Sequence, residues 1–233
     1  LIFNDVIASL YNTNTLSNTI KRLAKNIFIP ITAGGGIRNL EIGKKLFNYG
    51  ADKIFVNTQA LIEPKFLKKL VNFFGSANVI ITIEIISYKN EYYTSAYSGR
   101  EIFKINPFDW ALKCEDLGCG EIMITSVNSE GLMKGTDILL FEKILKKSKV
   151  PIIGSGGIGS FKDVYNLARN VDLDGVVISS LFHYNYIYNF QHKIPKIGNT
   201  HFVEKFQNKK KNYKKKKYNF RIKKIFKDKR NKC

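Results

Sequence analysis

The chain has 233 residues, 44% of them apolar, which suits one large domain with a sizeable core. No run of about 18 apolar residues occurs, so no membrane-spanning helix is expected. The formal charge of +19 is concentrated at one end: Lys205 to Cys233 holds 15 Lys or Arg against one acid, Asp228, so this stretch carries +14 and the remaining 204 residues only +5. A nearly balanced globular part argues against a dedicated nucleic-acid binder, and the Lys-rich end reads as a solvated tail with weak, unspecific attraction for polyanions.

In chain order, Leu1–Ile7 reads as a strand already in progress, and with Leu rather than Met at position 1 the expectation is a truncated N-terminus. Further short β-rich runs follow at Ile27–Thr32, Lys53–Val56, Val79–Ile86, Glu121–Thr125, Val150–Ile153 and Gly175–Ile178. Between them, helical periodicity marks residues 15–25, 39–48, 63–73, 107–117, 136–147 and 160–169. Strands apolar on consecutive positions, alternating with helices, imply a parallel sheet covered on both faces. The polar, tyrosine-rich stretch between Ile86 and Phe103 is too long for a tight turn and follows the carboxyl end of a strand. It reads as a hairpin lid, with an inert decorated loop as the alternative. The odd set Cys114, Cys119 and Cys233 lacks metal-ligand spacing, so buried or free thiols, a reduced cytoplasmic setting and no metal are expected.

An internal repeat separates a barrel from an open sheet. Ile31-Thr32-Ala33-Gly34-Gly35-Gly36-Ile37 is echoed by Ile153-Gly154-Ser155-Gly156-Gly157-Ile158. Gly50-Ala51-Asp52-Lys53-Ile54-Phe55-Val56-Asn57-Thr58 answers Leu173-Asp174-Gly175-Val176-Val177-Ile178-Ser179-Ser180. Each block is strand, glycine-rich loop, helix and a second strand ending in small polar residues, as a duplicated half-barrel requires. Glycines where strands turn into helices let backbone N–H groups close on an anion, and Asn57, Thr58, Ser179 and Ser180 add donors nearby. Two such places imply a substrate with two phosphates. Glu84, Asp5 and Glu130 fall at strand ends around one mouth, where a carboxylate can act as general acid or base, with Asn128 beside Glu130. Asp52, Lys53 and Glu121 open their strands and so lie on the opposite face, where Lys53 and Glu121 are placed to pair or to dock a partner.

These strings resemble the cyclase subunit of imidazole glycerol phosphate synthase. The resemblance runs from about Leu1 to Tyr184 and is carried by Asp5-Val6-Ile7-Ala8-Ser9, Gly34-Gly35-Gly36-Ile37, Gly50-Ala51-Asp52-Lys53, Asn57-Thr58, Phe74-Gly75-Ser76, Tyr97-Ser98-Gly99, Gly120-Glu121-Ile122 and Ser155-Gly156-Gly157 with Phe182-His183. It implies a (β/α)8 TIM barrel of the ribulose-phosphate-binding type, here without its first strand–helix unit, over residues 1–185, with a Lys-rich tail over 186–233. It further implies a bisphosphate substrate, N′-phosphoribulosyl formimino-AICAR phosphate, and ammonia from a glutaminase partner in a heterodimer. The products would be imidazole glycerol phosphate and AICAR, with no cofactor and no metal. One phosphate would sit at Gly35, Gly36, Asn57 and Thr58; the other at Gly131, Ser155, Gly156, Gly157, Ser179 and Ser180, with Glu130 beside it. Lys53 and Glu121 would gate ammonia, and Asp52 would dock the glutaminase. The family's second catalytic aspartate falls on Glu84, one methylene longer, and its first lies on the strand that this chain is expected to lack. Those departures also fit an alternative: a related barrel that passes ammonia to a sugar amidotransferase in surface-polysaccharide synthesis.

Overall fold

The computed structural model describes residues 1–6, 8 and 16–189. Seven parallel strands alternate with helices: β1 (Ile2–Asn4), α1 (Leu16–Ala24), β2 (Thr32–Gly34), α2 (Leu40–Asn48), β3 (Lys53–Val56), the short α3 (Thr58–Ile62), α4 (Pro64–Phe74) and β4 (Val79–Tyr88). After an antiparallel excursion, β5 (Glu91–Ala96) and β6 (Glu101–Phe103), come α5 (Pro107–Asp116), β7 (Glu121–Ser126), α6 (Ile138–Leu145), β8 (Ile152–Ser155), α7 (Phe161–Asn170), β9 (Gly175–Val177) and α8 (Ser180–Asn189).

The spatial order β1-β2-β3-β4-β7-β8-β9 follows the chain without reversal, and every neighbouring pair along this path is parallel. A doubly wound sheet reverses its order at a switch point; this one does not, and it is of the (β/α)8 barrel type. The helices start where the chain supplies caps. Asn39, Asn106, Asp137 and Ser160 each accept a backbone N–H of the first turn of α2, α5, α6 and α7, and Pro107 occupies the first position of α5. Gly75, at φ +87, ends α4.

Apolar side chains pack in two layers. The larger lies between strands and helices and joins Ile54, Ile81, Ile83, Ile122 and Ile124 to Leu67, Leu70, Phe141 and Leu167. The smaller lies inside the barrel, where Phe55, Ile80 and Met123 meet Ile153 and Val177. This is the alternation expected of strands buried on both faces.

The repeat is visible at the level of single hydrogen bonds. The Asp52 carboxylate accepts from Ile31 N at 2.7 Å, and Asp174 accepts from Ile152 N at 2.8 Å. In both halves the aspartate's own N–H returns a bond to the carbonyl of the same isoleucine, at 2.7 and 3.0 Å.

Three sequence expectations shift, one of them the strand expected over Val150–Ile153, which starts after Pro151 and forms over Ile152–Ser155. The strand expected over Ile27–Thr32 forms over Thr32–Gly34 instead, because Pro30 supplies no N–H to a ladder and Phe28 and Ile29 stand 95% and 55% exposed. The first strand is shorter than expected, Ile2–Asn4; Ile7 lies outside the described residues, as do Cys233 and all of the Lys-rich tail beyond Asn189. The tyrosine-rich insertion is a hairpin. The strand β4 runs on to Tyr88 and turns back through Lys89 and Asn90, both left-handed (φ 50 and 63), with Tyr88 opposite Glu91. This two-residue turn matches strand twist. The long β4 pairs β3 through Ile81 and β5 from Glu84 onward, so β5 stands directly over the carboxyl end of β3.

Candidate active site at the barrel mouth

Gly35 and Gly36 take φ +97 and +69 where β2 leaves the barrel. A Cβ on Gly35 would lie 2.3 Å from the Asp5 carbonyl, so only glycine lets this loop close against the end of β1. Asp5 is buried, and its carboxylate accepts from Ala8 N at 3.1 Å. Next in order, β3 delivers Asn57 and then Thr58, which opens α3. Between them lies a cavity of about 140 Å³, lined by Asn4, Asp5, Gly35, Gly36, Arg38, Asn57, Thr58, Thr82, Glu84, Tyr97 and Ser98. Ligand pockets commonly run to roughly 300–1,000 Å³, so this space fits one end of a substrate.

Glu84 stands at the mouth on β4, half-buried. Burial pushes its carboxyl up to about 6, against the N–H of Gly99, which it accepts at 2.8 Å; the negative charge of Glu130 raises it further, and the Asn57 amide lowers it. A carboxyl poised near neutrality can both take and return a proton at physiological pH. Glu130 is itself raised by desolvation.

The hairpin builds the rest of the site. The turn that joins β5 to β6, Tyr97-Ser98-Gly99, is left-handed at three consecutive residues (φ 53, 60 and 77) and is pinned to residues just past β1 and β3 and to Glu84 of β4. Tyr97 N donates to Thr58 Oγ at 3.2 Å, Ser98 Oγ to the Val6 carbonyl at 3.2 Å, and Gly99 N to Glu84. Below this turn, Asn57 Nδ2 donates to the Ser95 carbonyl at 3.2 Å. The expected lid is thus part of the site wall. Its contribution through Gly99 was legible only as a family string; no spacing in the sequence points from Gly99 to Glu84.

On the other side of the mouth, Gly156 and Gly157 repeat the left-handed turn at φ +104 and +89 after Ser155 ends β8. Cβ atoms there would meet the Ser126 carbonyl at 2.6 Å and the Gly135 carbonyl at 2.0 Å. The loop after β7 packs on this turn, with Gly135 N donating to the Gly157 carbonyl at 2.9 Å. Gly131, at φ +73, has open space around it. Ser179 follows β9 and Ser180 opens α8, as Asn57 follows β3 and Thr58 opens α3. Asn128 turns away from the mouth. Its side-chain amide exchanges both bonds with the backbone of Ser87, at 2.7 and 3.1 Å, and so extends the seam between β4 and β7. Sequence reasoning missed Thr82 and Arg38 and met Tyr97 only within a family string; all three line the cavity without belonging to the repeat.

At the opposite end of the strands, Lys53 of β3 and Glu121 of β7 form a half-buried ion pair on the two sides of β4. Asp52, exposed beside them, holds Ile31 N with one carboxylate oxygen. Cys114 and Cys119 are buried, and burial pushes both thiols up, Cys119 to about 12. Among the described residues no group of three or more His, Cys, Asp or Glu could hold a metal ion, and no helix is long and apolar enough to cross a membrane.

The sequence profile of the family described as "Histidine biosynthesis protein" matches residues 1–188. Similar relatives carry the name imidazole glycerol phosphate synthase subunit HisF. That of Petrotoga mobilis is 34% identical over 186 residues, 79% of this chain and 73% of the relative. That of Thermococcus onnurineus is 36% identical over 185 residues, 79% and 73% of the two chains, and that of Chlorobium chlorochromatii 33% over 186, 80% and 74%. With the barrel topology, the repeated glycine turns and the poised carboxyl at the mouth, these likenesses lead to one conclusion: the chain belongs to the histidine biosynthesis protein family, as a barrel enzyme of the cyclase-subunit type.

Proposed function

We propose that the barrel mouth closes the imidazole ring of imidazole glycerol phosphate, from N′-phosphoribulosyl formimino-AICAR phosphate and ammonia, and releases AICAR. In this reading Gly35, Gly36, Thr58 and the main chain of Asn57 hold one phosphate, and Gly131, Ser155, Gly156, Gly157, Ser179 and Ser180 hold the other. Glu84 is the general acid–base, with Asp5 and Glu130 as further carboxylates at the rim. The observation that carries the reading is Glu84 at about 6, inside the cavity that holds the first glycine turn. A glutaminase partner docks at the bottom through Asp52 and delivers ammonia past the Lys53–Glu121 pair, and the complex works in the cytoplasm.

The experiment is conversion of the synthetic bisphosphate, with ammonium salts, by the protein expressed from its complete gene. Imidazole glycerol phosphate is expected, with kcat/KM inflecting near pH 6. Glu84→Gln is expected to lower the rate by about 10²-fold or more. Absence of product from that complete protein, with Glu84→Asp restoring none, would overturn ring closure. That outcome would favour passage of ammonia to a sugar amidotransferase, the reading supported by a carboxylate one methylene longer than the family's aspartate.

A further inference from the structure

Among the described residues, three buried side-chain atoms make no hydrogen bond to any group of the protein: Asn57 Oδ1, Thr82 Oγ1 and Trp110 Nε1. Two of the three residues, Asn57 and Thr82, line the same cavity. Thr82 is only 5% exposed. A buried hydroxyl left unpaired costs about 1–3 kcal/mol, and valine would fill the same shape without that penalty. The two residues are also neighbours: Val56 of β3 pairs Ile81 of β4, and Asn57 and Thr82 each follow by one residue. Thr82 shares its face of β4 with Glu84, two residues on toward the mouth, and with Ile80, two residues back in the apolar layer inside the barrel.

We infer that Thr82 Oγ1 and Asn57 Oδ1 form a two-point cradle at the cavity floor for a small neutral N–H donor, ammonia, held beneath Glu84. The inference rests on the ring-closing reading and adds a residue to it. An amide oxygen only accepts, so the occupant must donate. A hydroxyl oxygen accepts a second N–H. Ammonia bound by two N–H groups keeps its lone pair free to face a substrate above, which water held the same way does less well as a nucleophile. The apolar layer of Phe55, Ile80 and Met123 lies on the bottom side of Thr82, so an occupant arriving from the Lys53–Glu121 end must cross it uncharged.

The test uses the full chain. The Thr82 methyl NMR signal, identified by its disappearance in Thr82→Val, is followed as ammonium chloride is added at alkaline pH, with sodium chloride as the control. A saturable shift specific to ammonium is expected; no shift, or the same shift with sodium chloride, overturns the cradle whether or not the chain turns over. In turnover with ammonium salts, Thr82→Val is expected to raise KM for ammonium about three- to tenfold, the worth of one hydrogen bond. KM for the bisphosphate is expected to stay unchanged, and Thr82→Ser to restore the ammonium KM. An effect confined to kcat or to the bisphosphate overturns the assignment. Thr82→Val is also expected to melt at or above the unaltered chain; a lower melting temperature shows a structurally satisfied hydroxyl and overturns it too. If the unaltered chain forms no imidazole glycerol phosphate, ring closure fails and the NMR titration alone decides the cradle.

Discussion

Burial of the Glu84 carboxyl at the mouth costs stability, and the sign of that cost can be measured. Below pH 4.5 its carboxyl is protonated in both the folded and the unfolded chain and contributes no difference. Between 4.5 and about 6 the folded protein keeps a proton that the unfolded chain releases, so stability falls as pH rises through this window. Above it the full penalty stands, at most about 2 kcal/mol for a group partly open to solvent. Glu84→Gln retains an oxygen for Gly99 N and removes the charge. Thermal melts should therefore show the variant more stable at pH 8, with the gain gone at pH 4. The glycines differ among themselves in the same quantitative way. Gly35→Ala drives a Cβ into the Asp5 carbonyl at φ +97, whereas Gly131→Ala at φ +73 meets open space. Urea denaturation should give a loss of about 3 kcal/mol or more for the first and about 1 kcal/mol for the second. At this scale the sequence was informative wherever a residue type has one physical use, as with left-handed glycine or a carboxylate at a strand end. It was silent about Thr82, because a threonine in a β-branched run reads as strand, and only burial without a partner sets it apart.

Among the elements, the strands flanking β4 are tied together at the barrel floor. Lys53 and Glu121 sit on the strands either side of β4 and pair at the floor. Removing one partner of a half-buried pair strands the other, whereas removing both is close to neutral. Lys53→Met and Glu121→Met are each expected to lower stability by about 1–3 kcal/mol, and the double variant by less than the sum. A double-mutant cycle from urea titrations measures this. The hairpin shows what element-level reading could and could not reach. Its existence follows from a polar stretch too long for a turn, but its position does not. That position is set by β4 outrunning β3, which ends at Val56 and leaves the upper edge of β4 for β5. The strand placed at Ile27–Thr32 moved for a related reason, since apolarity marked the segment and Pro30 decided which residues could pair.

Across the whole molecule the duplication is both a reading aid and a structural load path. Asp52 and Asp174 fasten equivalent points of the two halves with the same pair of bonds. Asp52→Ala and Asp174→Ala each leave a backbone N–H without its acceptor, and each should cost about 1–2 kcal/mol. Being far apart without shared partners, the two should add, which chemical denaturation of the double variant checks. The barrel was legible because repeat and alternation report it twice over; the second glycine turn was legible too, though not the loop that closes on it. Strand β4 is held along one edge by β3 and then β5, along the other by β7, and its apolar residues from Val79 to Ile85 are buried. Amide protons from Ile80 to Ile85 should accordingly exchange with deuterium last, while β1 and β9, each bonded on a single side among the described residues, open first. The strand that carries Thr82 and Glu84 would then remain closed through local fluctuations that loosen the sheet's ends, so the two side chains stay in register while the barrel breathes.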